Sequence, residues 1–191
     1  MFILSTKLDR RKQYTRMVLM DSLVALLQEK QISTITIKEI CELADINRST
    51  FYSHYSNQYD LLHSIEEKFI QDMMSALEQY NFSKEEEAFL IIEKILEFIA
   101  KNKVICQVLL NQSTERHFQK QGTLIIKKFI FNQWMAKNKI DRHQFEYISI
   151  FVVGGSVFVI KNWLETGMKE SYQEMAEIIN NLINKGLSTM R

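Results

Sequence analysis

The stretch Thr36-Ile37-Lys38-Glu39-Ile40-Cys41-Glu42-Leu43-Ala44-Asp45-Ile46-Asn47-Arg48-Ser49-Thr50-Phe51-Tyr52-Ser53-His54-Tyr55 decides the fold. It opens on a helix-start signal: the Thr36 hydroxyl can accept from the Glu39 amide while the Glu39 carboxylate reaches back to the Thr36 amide. The helix so started turns Ile37, Ile40, Cys41 and Ala44 inward and halts near Asp45. Asn47, a favoured N-cap, opens a second helix over 48–55. Ser56-Asn57 stop it, and Asn57 with Asp60 can cap the next. Two helices around a turn of about three or four residues, the second short and polar, form a helix-turn-helix pattern.

Working outward, Leu19, Met20, Leu23, Val24, Leu26 and Leu27 recur at helical spacing from Thr15 until Lys30-Gln31. Before them, Lys7, Arg10, Arg11, Lys12 and Arg16 face only Asp9. Alone, such a cluster reads as a solvated tail; beside a helix-turn-helix it would neutralise a duplex and make binding salt-dependent. Downstream, amphipathic helices are expected over 58–80, 84–102, 104–120, 123–138, 141–166 and 171–187, the last opened by a Ser171/Glu174 capping box. About nine helices result. The fold class is all-α: an N-terminal three-helix helix-turn-helix domain, residues 1–57, joined to a C-terminal antiparallel helical bundle, residues 58–191.

Composition agrees. The 191 residues include no proline and only 5 glycines, so little interrupts helices. With 46% hydrophobic and 25% charged residues and a net charge of +1, the chain is ordinary for a globular protein. Two cysteines, Cys41 and Cys106, make neither a disulfide framework nor a metal site. The N-terminus lacks a signal-peptide pattern. The most apolar run, Tyr147 to Ile160, is shorter than the roughly 18 residues of a membrane span and reads as a buried helix. A cytoplasmic location, no membrane and no cofactor are expected. An enzyme is disfavoured because GxSxG, P-loop, HExxH and dinucleotide motifs are absent and the histidines (54, 63, 117 and 143) are scattered. His63 and Glu66-Glu67 lie one turn apart, which surface packing explains.

From Thr15-Arg16 through Leu61-Leu62 the sequence resembles the DNA-binding domain of TetR-type transcriptional regulators. The residues that carry the likeness are T-I-K-E-I-C-E-L-A-D-I-N-R-S-T-F-Y-S-H-Y-S-N-Q-Y-D-L-L at 36–62. Three positions depart from the family pattern. Asp45 stands where the turn usually has glycine, and aspartate tolerates the left-handed conformation. Gln31 replaces a glycine that often ends the first helix, and Gln58 replaces a phosphate-binding lysine. The ending 154–171 is similar to a branch that includes regulators of dihydroxyacetone kinase genes, from which no ligand is carried over.

In the second helix of the motif, Phe51 and Tyr55 share a face that must turn inward to meet Leu43, Ile40 and Leu23. Ser49, Thr50 and Ser53 then face away, where short polar side chains suit a helix pressed into the major groove. Arg48 is placed for a guanine edge or a phosphate. Tyr52 and His54 are expected as phosphate ligands, with Lys38 and Gln58 completing the DNA-binding set. Each of these residues alone would read as an ordinary surface group; the constellation argues for DNA. Cys41 is assigned to packing.

In the second domain, the helix around Phe145–Glu165 is apolar almost all round and needs cover on every side. Gly154-Gly155 costs it roughly 2 kcal/mol against alanine, which a close crossing or a ligand would justify. The family implies a homodimer closed by this helix and the last, with Phe151, Gly155, Phe158, Trp163, Met175, Ile179 and Leu182 at the interface. Two recognition helices would then reach successive major grooves of a palindromic site in double-stranded DNA. The family also implies a small-molecule effector. Candidate pocket residues are Cys106, His117, Phe118, Phe131, Trp134, Met135 and Tyr147, although aromatic and Met residues at helical spacing are more often plain core. The reading is a ligand-responsive repressor; the alternative is a co-activator of the same fold that depends on a partner protein.

Overall fold

A computed structural model describes residues 2–80, 87–112, 120–121, 124–125 and 142–188. Among the described residues there are eight α-helices, one 3-10 turn at Ile32–Thr34 and no strand. The helices are α1 (Phe2–Leu27), α2 (Ile37–Ala44), α3 (Arg48–Tyr52), α4 (Gln58–Glu78), α5 (Glu87–Lys101), α6 (Lys103–Gln112), α7 (Arg142–Glu165) and α8 (Tyr172–Ser188). The all-α expectation holds. The segment expected as a helix over 123–138 lies almost wholly outside the described residues. The chain divides into two compact units, Met1–Phe69 and Ile70–Arg191, with α4 running through the division.

In the first unit, α1 packs on α2 and α2 on α3. Leu19 and Leu23 of α1 meet a core that includes Ile35, Ile40, Phe51, Leu61 and Ile65, all fully or almost fully buried. Burial of a side chain of this size contributes roughly 1.5–3 kcal/mol. Three boundaries differ from the sequence reading: α3, read over 48–55, ends at Tyr52, and both ends of α1 move. α1 starts at Phe2 instead of near Thr15, since residues 2–14 contain no glycine or proline to stop a helix from propagating backwards. It ends at Leu27, and the chain then turns as the amides of Glu29 and Lys30 donate to the Leu26 carbonyl.

In the second unit, α8 lies along α5 and α6 lies against α7. Met73 and Leu77 of α4 pack with Ile125, Ile95 and Phe98. The Gln107 side-chain amide donates to the Leu164 carbonyl at 2.8 Å and ties α6 to the end of α7. α7 stops in a Schellman turn: the Met168 amide donates to Trp163 O at 2.8 Å and the Gly167 amide to Leu164 O, with Gly167 at φ 91°. The Ser171/Glu174 capping box forms as read, with the Ser171 amide donating to Glu174 at 2.8 Å and the Glu174 amide to Ser171 at 3.2 Å.

Candidate nucleic-acid interface

Three short-range devices set the geometry of α2 and α3. At the start of α2 the Thr36 amide donates to Glu39 Oε2 at 2.8 Å, and the Glu39 amide donates to Thr36 Oγ1 at 3.2 Å. Lys30 Nζ donates to Glu39 Oε1 at 2.6 Å, so the same carboxylate also fastens the end of the α1 turn. The Lys30 hydrogen bond, followed by those from Thr36, pulls the Glu39 carboxyl from its usual 4.5 down to about 2.

At the other end of α2, Asp45 adopts φ 52°, ψ 45°. The Asp45 amide donates to Glu42 O at 3.4 Å and the Ile46 amide to Cys41 O at 3.0 Å, the paired bonds of a Schellman turn. Aspartate therefore fills the left-handed position usually taken by glycine. Asn47 Oδ1 then accepts from the Ser49 amide at 3.0 Å and starts α3. At the head of α4, Asn57 Oδ1 accepts from Tyr59 and Asp60 amides at 2.9 and 3.0 Å, while Asp60 accepts from the Ser56 amide at 2.8 Å.

α3 keeps its helical phase through a final turn in which the amides of His54 and Tyr55 both donate to Phe51 O at 2.9 Å. Phe51 and Tyr55 are buried, with ring centroids 5.9 Å apart. That anchor leaves Arg48, Ser49, Tyr52 and Ser53 exposed and Thr50 and His54 half-buried. One inward assignment is corrected: Leu43 is 54% exposed, because the buried stripe of α2 runs through Ile40, Cys41 and Ala44 and leaves position 43 beyond its edge. Cys41 is buried, as its packing role requires, and burial raises its thiol pKa.

The exposed face has a definite hydrogen-bonding character. Arg48 presents a guanidinium whose donors suit a base edge or a phosphate. The Ser49 hydroxyl donates to Asn47 Oδ1 at 3.1 Å and the Ser53 hydroxyl to Thr50 O at 2.7 Å. Both serines therefore offer lone pairs outward. Lys38 forms an exposed 3.6 Å pair with Glu42, of a kind worth little in water and readily exchanged for a phosphate. Gln58 is half-buried at the first position of α4. Burial lowers the His54 pKa, and the positive charges of Arg16 and Lys12 lower it further. In the sequence those two α1 side chains read only as part of a basic cluster; their helical register with Leu19 and Leu23 is the signal that puts them on the packed side of α1.

The second unit presents a different surface. α7 buries Phe145, Ile148, Val152, Val153, Trp163 and Leu164 but leaves Tyr147, Ile150, Phe151 and Phe158 exposed, Phe151 to 82%. α8 leaves Ile178 and Leu182 exposed. An apolar groove of about 570 Å³ runs between α7 and α8, lined by Tyr147, Phe151, Gly155, Val159, Ile179 and Leu182 among others. A Cβ added to Gly155 would meet nothing within 4 Å in this chain. The residues assigned to a dimer interface thus divide. Phe151, Gly155, Phe158 and Leu182 face outward and Ile179 floors the groove, whereas Trp163 and Met175 sit in the subunit's own core, the Trp163 indole donating to Glu170 O at 2.9 Å.

Of the pocket candidates, Tyr147 lines this groove and Cys106 is buried on α6, where burial pushes its thiol up to about 12. His117, Phe118, Phe131, Trp134 and Met135 lie outside the described residues. His63 faces Glu66 at 3.6 Å and Glu67 at 3.3 Å, and no cluster of three or more metal-ligating side chains occurs among the described residues. By length and composition alone, His143–Glu165 would also cross a bilayer, but in this chain the helix packs against α6.

Residues 86–185, more than half of the chain, match a TetR-type family model described as the transcriptional regulator C-terminal region. The HTH-type transcriptional regulator YxbF of Bacillus subtilis strain 168 is 26% identical over 158 residues, which cover 78% of this chain; the chain spans only 40% of that relative's length. A TetR transcriptional regulator from Streptococcus agalactiae 2603V superposes with a TM-score of 0.68 at 20% identity, over 98% of this chain and 99% of that one. The dihydroxyacetone kinase operon activator DhaS superposes with a TM-score of 0.63 at 20% identity, over 92% and 97%. At such identities the structural likenesses speak for the fold. These relatives are transcriptional regulators, not enzymes. With its buried aromatic anchor, its capped pair of short helices and this family region downstream, the chain belongs to the TetR family of transcriptional regulators.

Proposed function

We propose that the protein is a ligand-responsive repressor that binds a palindromic operator as a homodimer in the cytoplasm, with residues 1–57 as the DNA-binding domain and 58–191 as the dimerisation and effector domain. The observation that carries the DNA-binding part is the division of α3. Phe51 and Tyr55 are locked inward while Arg48, Ser49, Tyr52 and Ser53 are left on one exposed, polar and basic surface. Arg48 reads a base edge, Ser49 and Ser53 accept from base amino groups, and Lys38, Tyr52, His54 and Gln58 hold phosphates and set the register.

The homodimer rests on the apolar face of α7 and α8. An exposed Phe151 beside Phe158 and Leu182 is a patch that a second copy of the same face covers, and Gly155 leaves room for a close helix crossing. The effector is placed in the second unit, among the aromatic and Met residues at 117–135 together with Cys106 and Tyr147. A thermal-shift screen of small molecules tests that assignment.

The direct test is retention of the DNA upstream of the protein's own gene by the purified protein. Specific retention supports the repressor reading, and Arg48→Ala then costs roughly 1–3 kcal/mol of specific affinity. No retention even at low salt points instead to the co-activator that needs a partner protein.

A further inference from the structure

We propose that Glu42 of α2 is a specificity-determining residue whose carboxylate accepts a hydrogen bond from the amino group of a cytosine, in or beside the base pair that Arg48 reads; this rests on the DNA-binding reading above. A groove of about 500 Å³ between α2 and the start of α3 makes the case. Lys38, Glu42, Asp45 and Arg48 line it, together with the buried Cys41. Lys38 and Glu42 stand one turn apart on the same side of α2, and Arg48 opens α3 after the turn at 45–47. The two cations assigned to DNA therefore share one groove with a carboxylate.

That carboxylate has no structural task. Glu39, on the same helix, holds Lys30 at 2.6 Å and the Thr36 amide at 2.8 Å, and Glu97 and Glu174 accept hydrogen bonds at 2.7–2.8 Å. The Glu42 side chain is 64% exposed and accepts no hydrogen bond among the described residues; Lys38 approaches it only to 3.6 Å. Facing a polyanion, a bare carboxylate is repelled and costs affinity unless a donor on the DNA meets it.

In the major groove the only base-edge donors are the amino groups of cytosine and adenine. Adenine sets its N7 acceptor beside the amino group and so suits an amide side chain, whereas a carboxylate, which only accepts, suits cytosine. Arg48 only donates and matches the O6 and N7 acceptors of guanine. The groove thus holds complements for both edges of a G·C pair. Asp45 lines it as well, but from the left-handed turn residue and on a side chain one methylene shorter.

The test selects bound duplexes from a random pool with the full chain, then measures affinity for the recovered duplex and its single-base changes. At one position in each half-site, replacing cytosine costs the wild type about tenfold or more, and Glu42→Ala less than about twofold. Glu42→Gln moves the preference there from cytosine to adenine. Both variants keep the preference at the Arg48 position, and Asp45→Asn, which still suits the left-handed turn, keeps both preferences. Glu42→Ala binds a mixed-sequence duplex at least as tightly as the wild type, because a charge facing the phosphates is gone. Circular dichroism checks that each variant is folded.

A recovered site with no cytosine preference overturns the role of Glu42 and leaves the groove-reading helix in place. So does a cytosine preference unchanged in folded Glu42→Ala, or a loss of affinity spread evenly over all positions. Failure of the wild-type chain to select any sequence removes the DNA-binding reading and the role of Glu42 with it.

Discussion

The α2–α3 pair and the α7–α8 pair solve opposite problems. In the first, the large aromatic residues Phe51 and Tyr55 are buried inside their own unit and the outward face is short, polar and basic. In the second, Phe151 and Phe158 stand outward and apolar while the indole of Trp163 is buried and hydrogen-bonded internally. A surface of the first kind is complete as it stands and suits a wet, charged partner such as DNA. A surface of the second kind leaves apolar area in water that burial against another copy would remove. The contrast shows that apolar composition along a helix does not say which apolar residues fill the core and which stay on the surface.

The largest effect that sharpens this comparison is at the anchor. Phe51→Ala removes a fully buried ring, and a loss of about 3–5 kcal/mol from the stability of the first unit is expected in denaturant unfolding. A much smaller loss would mean that Phe51 is not the anchor. Next is Phe151→Glu. In the single chain this position is largely solvent, so subunit stability should change by no more than about 0.5 kcal/mol. Self-association should weaken by about 2 kcal/mol or more, as expected for a central aromatic at an interface. Sedimentation across a concentration series reads both species. A wild-type chain that stays monomeric at micromolar concentration would break the comparison, since the apolar face would then be covered by something else.

The smallest effect is on pH. Glu39 is held at about 2, below its usual 4.5, by hydrogen bonds from Lys30 and Thr36. Its contribution to the stability of the first unit is therefore complete above about pH 4.5 and is lost as pH falls through about 2. Glu39→Gln should flatten that part of the stability profile for the first unit, followed by circular dichroism; an unchanged profile would show that the Lys30–Glu39–Thr36 arrangement contributes nothing measurable.

The local chemistry of α2 and α3 was legible because it lies in side chains a few residues apart. The Thr36/Glu39 box, the Asn47 cap, the left-handed Asp45 and the Asn57/Asp60 cap all form as the residues imply. Less legible was anything that depends on what a helix meets in three dimensions. Leu43 has the right chemistry for the core, but its short helix turns it away. The N-terminal basic run is compatible with a tail, and only the continuous α1 brings the charges of Lys12 and Arg16 to bear on His54. In α7 the near-uniform apolarity hid the split between Trp163, which packs inside, and Phe151, which does not. Periodicity fails there because both sides of the helix are apolar.

On the proposed reading, α3 enters a DNA groove from each of two paired subunits. Selection of bound duplexes from a random pool by the purified full chain tests it most directly. An enriched palindrome with half-sites about one helical turn apart, roughly 34–36 Å, is expected. Arg48→Ala should relax the preference at one position in each half-site. Recovery of no preferred sequence at low salt, or of a preferred sequence that Arg48→Ala leaves unaltered in strength and identity, would contradict it.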